Sequence, residues 1–196
     1  MRLPYAPGTA PHDQPEAAAI YQRIAARRAP RPLIPLDLSL LHSPPVADGY
    51  NSFLNAIRNE TIVDQALMEL AICRIGALNG AVWEWRAHAA LAVKAGVKKA
   101  ALEAILDVNS GIGEGIAWTN LSHKEEAVVR YADAMTKDVE VPQAVFSRLS
   151  EIGLNEREIV ELTAGIAAYN CVSRFLVALD VGEMNGKPME VPADAK

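Results

Sequence analysis

The sequence predicts an all-α protein of about eight helices, formed as one domain with flanking arms. Apolar residues recur at helical spacing along most of the chain, and no segment shows the strict alternation of a half-buried strand. Three segments, Thr61–Asp64, Ser122–Glu125 and Asn155–Glu158, have the form of capping boxes where helices should begin. Of 196 residues, 51% are hydrophobic but only 6% aromatic, so alanine and leucine fill much of the interior, as close-packed helices require.

The elements follow in order. Residues 1–15 hold prolines at 4, 7, 11 and 15 and read as an irregular, extended arm. A helix over 16–28 puts Ala17, Ile20 and Ile24 on one face, and Pro30, Pro32 and Pro35 close it. A short helix over 36–42 follows. Pro44 and Pro45 open the next, which runs to about Asn59 and spaces Tyr50, Phe53, Leu54 and Ile57 along one face. The helix over 62–78 is apolar almost all round, with Glu69 and Arg74 as its only charges after Asp64, and is therefore central. Asn79-Gly80 breaks it. The next helix covers 82–95 and stops at Gly96, a good residue for the left-handed position after a helix. A short helix over 98–106 precedes a glycine-containing loop over 107–121. The two remaining capping boxes start helices reaching about Lys137 and about Asp180, and a helix between them runs from Pro142 to Gly153. The domain thus spans 16–181, with a tail over 182–196 that has prolines, charges and little periodicity.

Composition narrows the function. A net charge of −5 without a basic cluster argues against nucleic acid or an anionic membrane surface as partner. The start lacks the apolar run of a secretory signal, and the most apolar stretch, 162–173, has the length of a buried core helix. Cys73 and Cys171 both lie in apolar helical segments and read as small buried thiols, which fits a cytoplasmic protein. Gly111–Gly115 lacks the spacing and the preceding strand of a dinucleotide fingerprint, so no cofactor is expected. Two apolar helices without an evident polar face predict a homo-oligomer.

The chemistry concentrates at Glu69, Glu84 and His88. Two helical segments joined at Asn79-Gly80 bring the three within reach of one another in apolar surroundings. Glu84 and His88 stand four apart and share a helix face, so Glu84 is expected to orient the imidazole and raise its affinity for a proton. Two carboxylates and an imidazole in an apolar wall form a site for proton transfer. The blander readings are a salt bridge from Glu69 to Arg74 or Arg174, and His88 as a satisfied core residue. A metal is not expected: Glu84, His88 and Glu69 make an incomplete zinc set with no second histidine at ligand spacing. Arg74, Trp85, Asn170 and Arg174 are candidates for substrate binding. Asn170 and Arg174 could present an amide and a guanidinium to a carboxylate, or else cap helix ends or bridge subunits. Arg74 is an anion-binding candidate, or the ion-pair partner of a core glutamate.

The segment Glu84-Trp85-Arg86-Ala87-His88, with Glu69 upstream, resembles the signature of the carboxymuconolactone decarboxylase-like branch of the alkylhydroperoxidase D-like superfamily. The likeness covers roughly 45–180. The thiol peroxidases of that superfamily carry cysteines where Ala81 and Glu84 stand here, and without either thiolate dithiol peroxide reduction has no nucleophile. The resemblance implies a helical domain that assembles as a homotrimer or homohexamer. It further implies a cofactor-free lyase acting on a small, anionic, carboxylated lactone or related enolizable compound. Glu69 and His88 match the superfamily's proton-relay residues. The rival reading is a non-catalytic helical assembly protein in which the same residues form a structural polar network.

Overall fold

The computed structural model describes residues 1–109 and 118–195, and among them there are nine α-helices and no strand. The central part of the expected loop, 110–117, lies outside the described residues. Contacts divide the chain into two compact units, Met1–Glu60 with Leu179–Glu183, and Thr61–Ala178 with Met184–Lys196. Their limits differ from the arm, single domain and tail read in the sequence.

The first unit contains α1 (Pro15–Arg28), α2 (Pro35–Leu40) and α3 (Pro44–Asn59). Prolines supply the first turn of all three, where a missing N–H is harmless. Ala17, Tyr21 and Ile24 of α1 are buried in this unit, as are Ala47, Leu54 and Ile57 of α3. Arg28 grips Asp37 through two 2.8 Å bonds, and Arg23 grips Asp48 likewise at 3.1 and 2.7 Å. The proline-rich arm is pinned. Its Arg2 N–H donates to the Leu179 carbonyl at 2.8 Å, and Ala6 N–H to Leu38 at 3.1 Å.

The second unit holds α4 (Gln65–Leu78), α5 (Val82–Lys94), α6 (Lys99–Leu106), α7 (His123–Lys137), α8 (Gln143–Glu151) and α9 (Glu156–Leu179), the last residue of α9 excepted. Helix α4 is the central one, buried from Leu67 to Ala77 and packed against α5, α6 and α7. Leu70, Trp85, Ala89, Leu102, Ile105 and Val129 form the heart of its core. Each large aliphatic side chain buried there contributes about 1.5–3 kcal/mol. By length and mean hydropathy α9 would suffice to cross a bilayer, yet half of its most apolar window is buried within the protein, as in a core helix.

Two of the three expected capping boxes form. Ser122 and Glu125 exchange side-chain and backbone bonds at 3.3 and 2.7 Å, and Asn155 and Glu158 do so at 3.0 and 2.9 Å. The box at Thr61–Asp64 does not. Asp64 is itself the cap, accepting from Ala66 and Leu67 at 2.8 and 3.2 Å. The reason is long-range: Glu161 of α9 accepts the N–H groups of Ile62 and Val63 at 2.7 and 3.2 Å and holds that segment outside the helix. The C-terminal segment is also more ordered than its composition implied, since Met189 and Val191 pack on the core.

Candidate active site

The site is built on the α4–α5 hairpin. Gly80 stands at φ +66°, the left-handed conformation that glycine adopts without strain, and ends α4. Ala81 N–H reaches back to the Gly76 carbonyl at 2.8 Å and Gly80 N–H to Ala77 at 3.3 Å, a Schellman pattern that reverses the chain. Helix α5 then packs closely on α4 at Gly76. A methyl group there would lie 3.3 Å from the Trp85 backbone nitrogen and 3.5 Å from a Glu84 carboxyl oxygen.

The hairpin brings Glu69 to His88. Glu69 Oε2 lies 2.6 Å from His88 Nδ1; the carboxylate side chain is 1% exposed and the imidazole 11%. The short separation and the near-complete removal of water make this a strong, charge-assisted contact when the ring is protonated. Tyr169 of α9 meets the His88 ring edge-on, with centroids 4.8 Å apart and planes at 78°.

Glu84 does something other than expected. It does not orient His88: both its oxygens are buried and, among the described residues, neither has a hydrogen-bond partner, while Nδ1 of His88 is engaged by Glu69. Glu84 stands one helical turn from His88, but it is Glu69 that reaches the ring, from the facing helix. Burial alone pushes the Glu84 carboxyl well above its ordinary value and so favours the neutral acid, which avoids an unpaired charge in the core. Burial likewise pushes up the Cys73 thiol, and the charges of Glu69 and Glu84 add to the effect. Cys73 is therefore a poor thiolate source. Cys171 is exposed rather than buried as expected, and neither cysteine is in a disulfide.

The four candidate binding residues fare differently. Arg74 is wholly buried, and its partner is an aspartate of α7 instead of a core glutamate. Its Nε and Nη2 donate to Asp133 at 2.6 and 3.0 Å, and its Nη1 donates to the carbonyls of Ile105 and Asp107 at 2.8 and 3.0 Å. The guanidinium also lies 5.0 Å from the centre of the Trp118 ring. With every nitrogen committed, Arg74 holds the fold together. Trp85 is completely buried, and its ring N–H donates to the Glu190 carbonyl at 2.8 Å. Asn170 donates to Thr136 Oγ1 at 2.9 Å and receives Asn79 Nδ2 at 3.2 Å. Arg174 donates to the Asn170 side chain and to its carbonyl, the latter at 3.1 Å. These last two are bonded to each other at the end of the hairpin, with Asn170 buried and Arg174 exposed. Sequence reasoning missed Tyr169, because the contact joins residues 81 apart on helices with no shared periodicity.

Two cavities lie elsewhere. One, of about 10 Å³, is enclosed by the first unit beside Tyr50 and Leu54. The other is an open groove of about 970 Å³ bounded by the first turns of α4, α6 and α7 and by Gly153 to Glu158. Neither includes Glu69, Glu84 or His88. Among the described residues no cluster of three acidic, histidine or cysteine side chains could hold a metal.

The fold is that of the AhpD-like helical proteins. A protein of unknown function from Agrobacterium tumefaciens, provisionally named the antioxidant-defence protein AhpD, superposes with a TM-score of 0.60 at 19% identity, covering 77% of this chain and 94% of its own. An uncharacterized peroxidase-related protein from Silicibacter sp. TM1040 superposes with a TM-score of 0.68 at 17% identity, covering 93% of this chain and 95% of its own. At these identities the likeness is one of fold. Residues 44–123 match the Carboxymuconolactone decarboxylase family, a segment that contains Glu69, Glu84 and His88. No curated protein matches it.

Proposed function

We propose that the protein is a cofactor-free carboxy-lyase acting by acid–base proton transfer on a small carboxylated lactone or related enolizable compound. The observation that carries this reading is the 2.6 Å contact between the buried Glu69 carboxylate and an imidazole that keeps a little exposure. In the reaction, the bond between the ring carbon and the substrate carboxylate breaks and CO₂ leaves. The electron pair passes into an extended enolate, and a proton from the His88 imidazolium is added at carbon. Glu69 holds Nδ1 and stabilises the imidazolium, so the exchanged proton moves at Nε2. Water then restores the proton to His88. Arg174, exposed on α9, is the remaining candidate for the substrate carboxylate. Dithiol peroxidase chemistry is disfavoured, because Ala81 and Glu84 offer no thiol and the Cys73 thiol is buried with its proton held.

The working form is proposed to be a cytoplasmic homotrimer or homohexamer. The exposed side chains of Phe53, Ile62, Phe146 and Val160 support assembly, since such groups gain from being covered. A second reading, a non-catalytic assembly protein with a structural Glu69–His88 pair, is favoured by one observation. Neither the small cavity beside Tyr50 nor the open groove, both lined by described residues, includes the pair.

The test is a panel of small lactones and aromatic acids, screened first by thermal shift and then by CO₂ release. His88→Gln keeps bulk and hydrogen bonding but donates no proton at neutral pH. Turnover by this variant is expected to fall about 10²–10⁴-fold, roughly 3–5 kcal/mol of barrier, with little change in melting temperature. Near-normal turnover together with a loss of several degrees in Tm would transfer His88 to the structural reading.

A further inference from the structure

The imidazole of His88 is touched from two helices besides its own. Glu69 of α4 takes Nδ1 at 2.6 Å, and Tyr169 of α9 stands edge-on to the ring at 4.8 Å between centroids. Tyr169 is only 4% exposed, so water does not compete for that side of the imidazole. A hydrogen bond at Nδ1 fixes that ring atom but does not by itself fix the ring plane about it. A second, lateral contact removes that freedom.

The position of Tyr169 is itself fixed by polar bonds at its neighbours. Asn79, the residue that caps α4, donates to Asn170 Oδ1 at 3.2 Å and to Ser173 Oγ at 2.8 Å. Asn170 in turn donates to Thr136 of α7 at 2.9 Å and to the Ile166 carbonyl at 3.1 Å. Asn79 stands at the turn between the helices that carry Glu69 and His88. The turn that sets the Glu69–His88 separation is thus bonded to the stretch of α9 that carries Tyr169.

We infer that Tyr169 is a positioning residue for His88: its edge-on contact and the Glu69 bond together hold the imidazole in one rotamer and one tautomer. The inference rests on the acid–base role proposed for His88. With Nδ1–H given to Glu69, the ring nitrogen that gains and loses the proton is Nε2, and a ring that cannot swing presents that atom in one direction. Tyr169 acts through His88 and does not need to meet the substrate.

The full chain, labelled with ¹⁵N-histidine, tests this without a substrate. Its four histidines are separable because the His88 signals vanish in His88→Gln. The wild type is expected to show His88 as a single Nδ1-protonated tautomer, and Tyr169→Phe, which keeps the ring, is expected to show the same. Tyr169→Leu is expected to shift both His88 nitrogens toward the averaged values of a mobile tautomer mixture. Tyr169→Met, whose unbranched chain refills the space without a ring, gives the same reading if the leucine variant does not fold. On any substrate found, kcat is expected to drop about 10- to 100-fold, with KM unchanged within about twofold. A wild-type nitrogen pattern in Tyr169→Leu or Tyr169→Met, with only a lowered melting temperature, would reduce Tyr169 to packing. The two readings fail separately. If the Tyr169 variants disturb the tautomer while His88→Gln leaves turnover intact, positioning stands and the acid–base reading falls. If His88→Gln abolishes turnover while the Tyr169 variants keep both pattern and kcat, the reverse holds.

Discussion

Helix α4 buries two charged side chains five residues apart, Glu69 and Arg74, and the protein completes them differently. Around Arg74 every guanidinium nitrogen is bonded, and the side chain has no exposure at all. Around Glu69 the partner is an imidazole, a group that can change charge near neutral pH, and 11% of that imidazole still meets solvent. Arg74 cannot lose its proton in a protein, so its environment serves only to neutralise it. The Arg74 charge is closed on every side, whereas the Glu69 carboxylate is shared with a ring that keeps a little contact with solvent.

The largest test of this contrast is on stability. Asp133→Ala leaves the Arg74 guanidinium buried without a carboxylate and should cost about 3–5 kcal/mol in denaturant unfolding. His88→Gln should cost about 1 kcal/mol or less, since the glutamine amide can still donate to Glu69. Equal losses in the two variants would erase the distinction between the sites.

Glu84 sharpens it further, as a third buried ionisable side chain, one without a partner among the described residues. Its folded pKa is raised by burial above the ordinary 4.5. Such a group contributes its full stability below the unfolded value and loses it as pH rises through the folded value. The isosteric amide of Glu84→Gln has no such proton to lose. The variant should match the wild type at acid pH. Above the unfolded value it should gain on the wild type by at most about 1.4 kcal/mol per pH unit, levelling off at the folded pKa. Unfolding curves of both proteins between about pH 4 and 8 read this directly. A constant difference across that range would mean that Glu84 is ionised and paired.

The smallest expected effect is at Gly76, where α4 meets the first turn of α5. An alanine there gains about 1 kcal/mol in helix propensity. Against this, its methyl group would press on the Trp85 backbone nitrogen at 3.3 Å, and backbone yields less readily than a side chain tip. With overpacking at about 1–3 kcal/mol, Gly76→Ala should lose about 1 kcal/mol net by thermal unfolding. A stabilised variant would show that α5 shifts easily on α4, and that the Glu69–His88 separation is not held by their close packing.

The helices were legible because their signals are local. Capping residues, first-turn prolines and helical spacing act within a few residues, and the α7 and α9 boxes form as written. The central place of α4 followed from its apolar circumference. Where the reading went astray, a distant residue had intervened. Glu161 displaced the start of α4 from Thr61, Glu69 took the ring atom expected to face Glu84, and Asp133 took the guanidinium assigned to a glutamate. The family pattern drew attention to Glu69, Glu84 and His88 together, but which carboxyl bonds the histidine depends on the facing helix. Tyr169 carried no local signal. Its role exists only because α9 returns to the hairpin.

The contacts of Arg74 also bear on how the chain is made. Its partners lie 31, 33 and 59 residues downstream. At roughly 5–20 residues per second, the ribosome needs about 3–12 s to pass from Arg74 to Asp133. Through that interval α5 and α6 have emerged to pack on α4, and Ile105 and Asp107 can take Nη1 of Arg74, but the guanidinium still lacks its carboxylate. The charge that is sealed in the finished core therefore waits for its counter-charge until α7 has been synthesised.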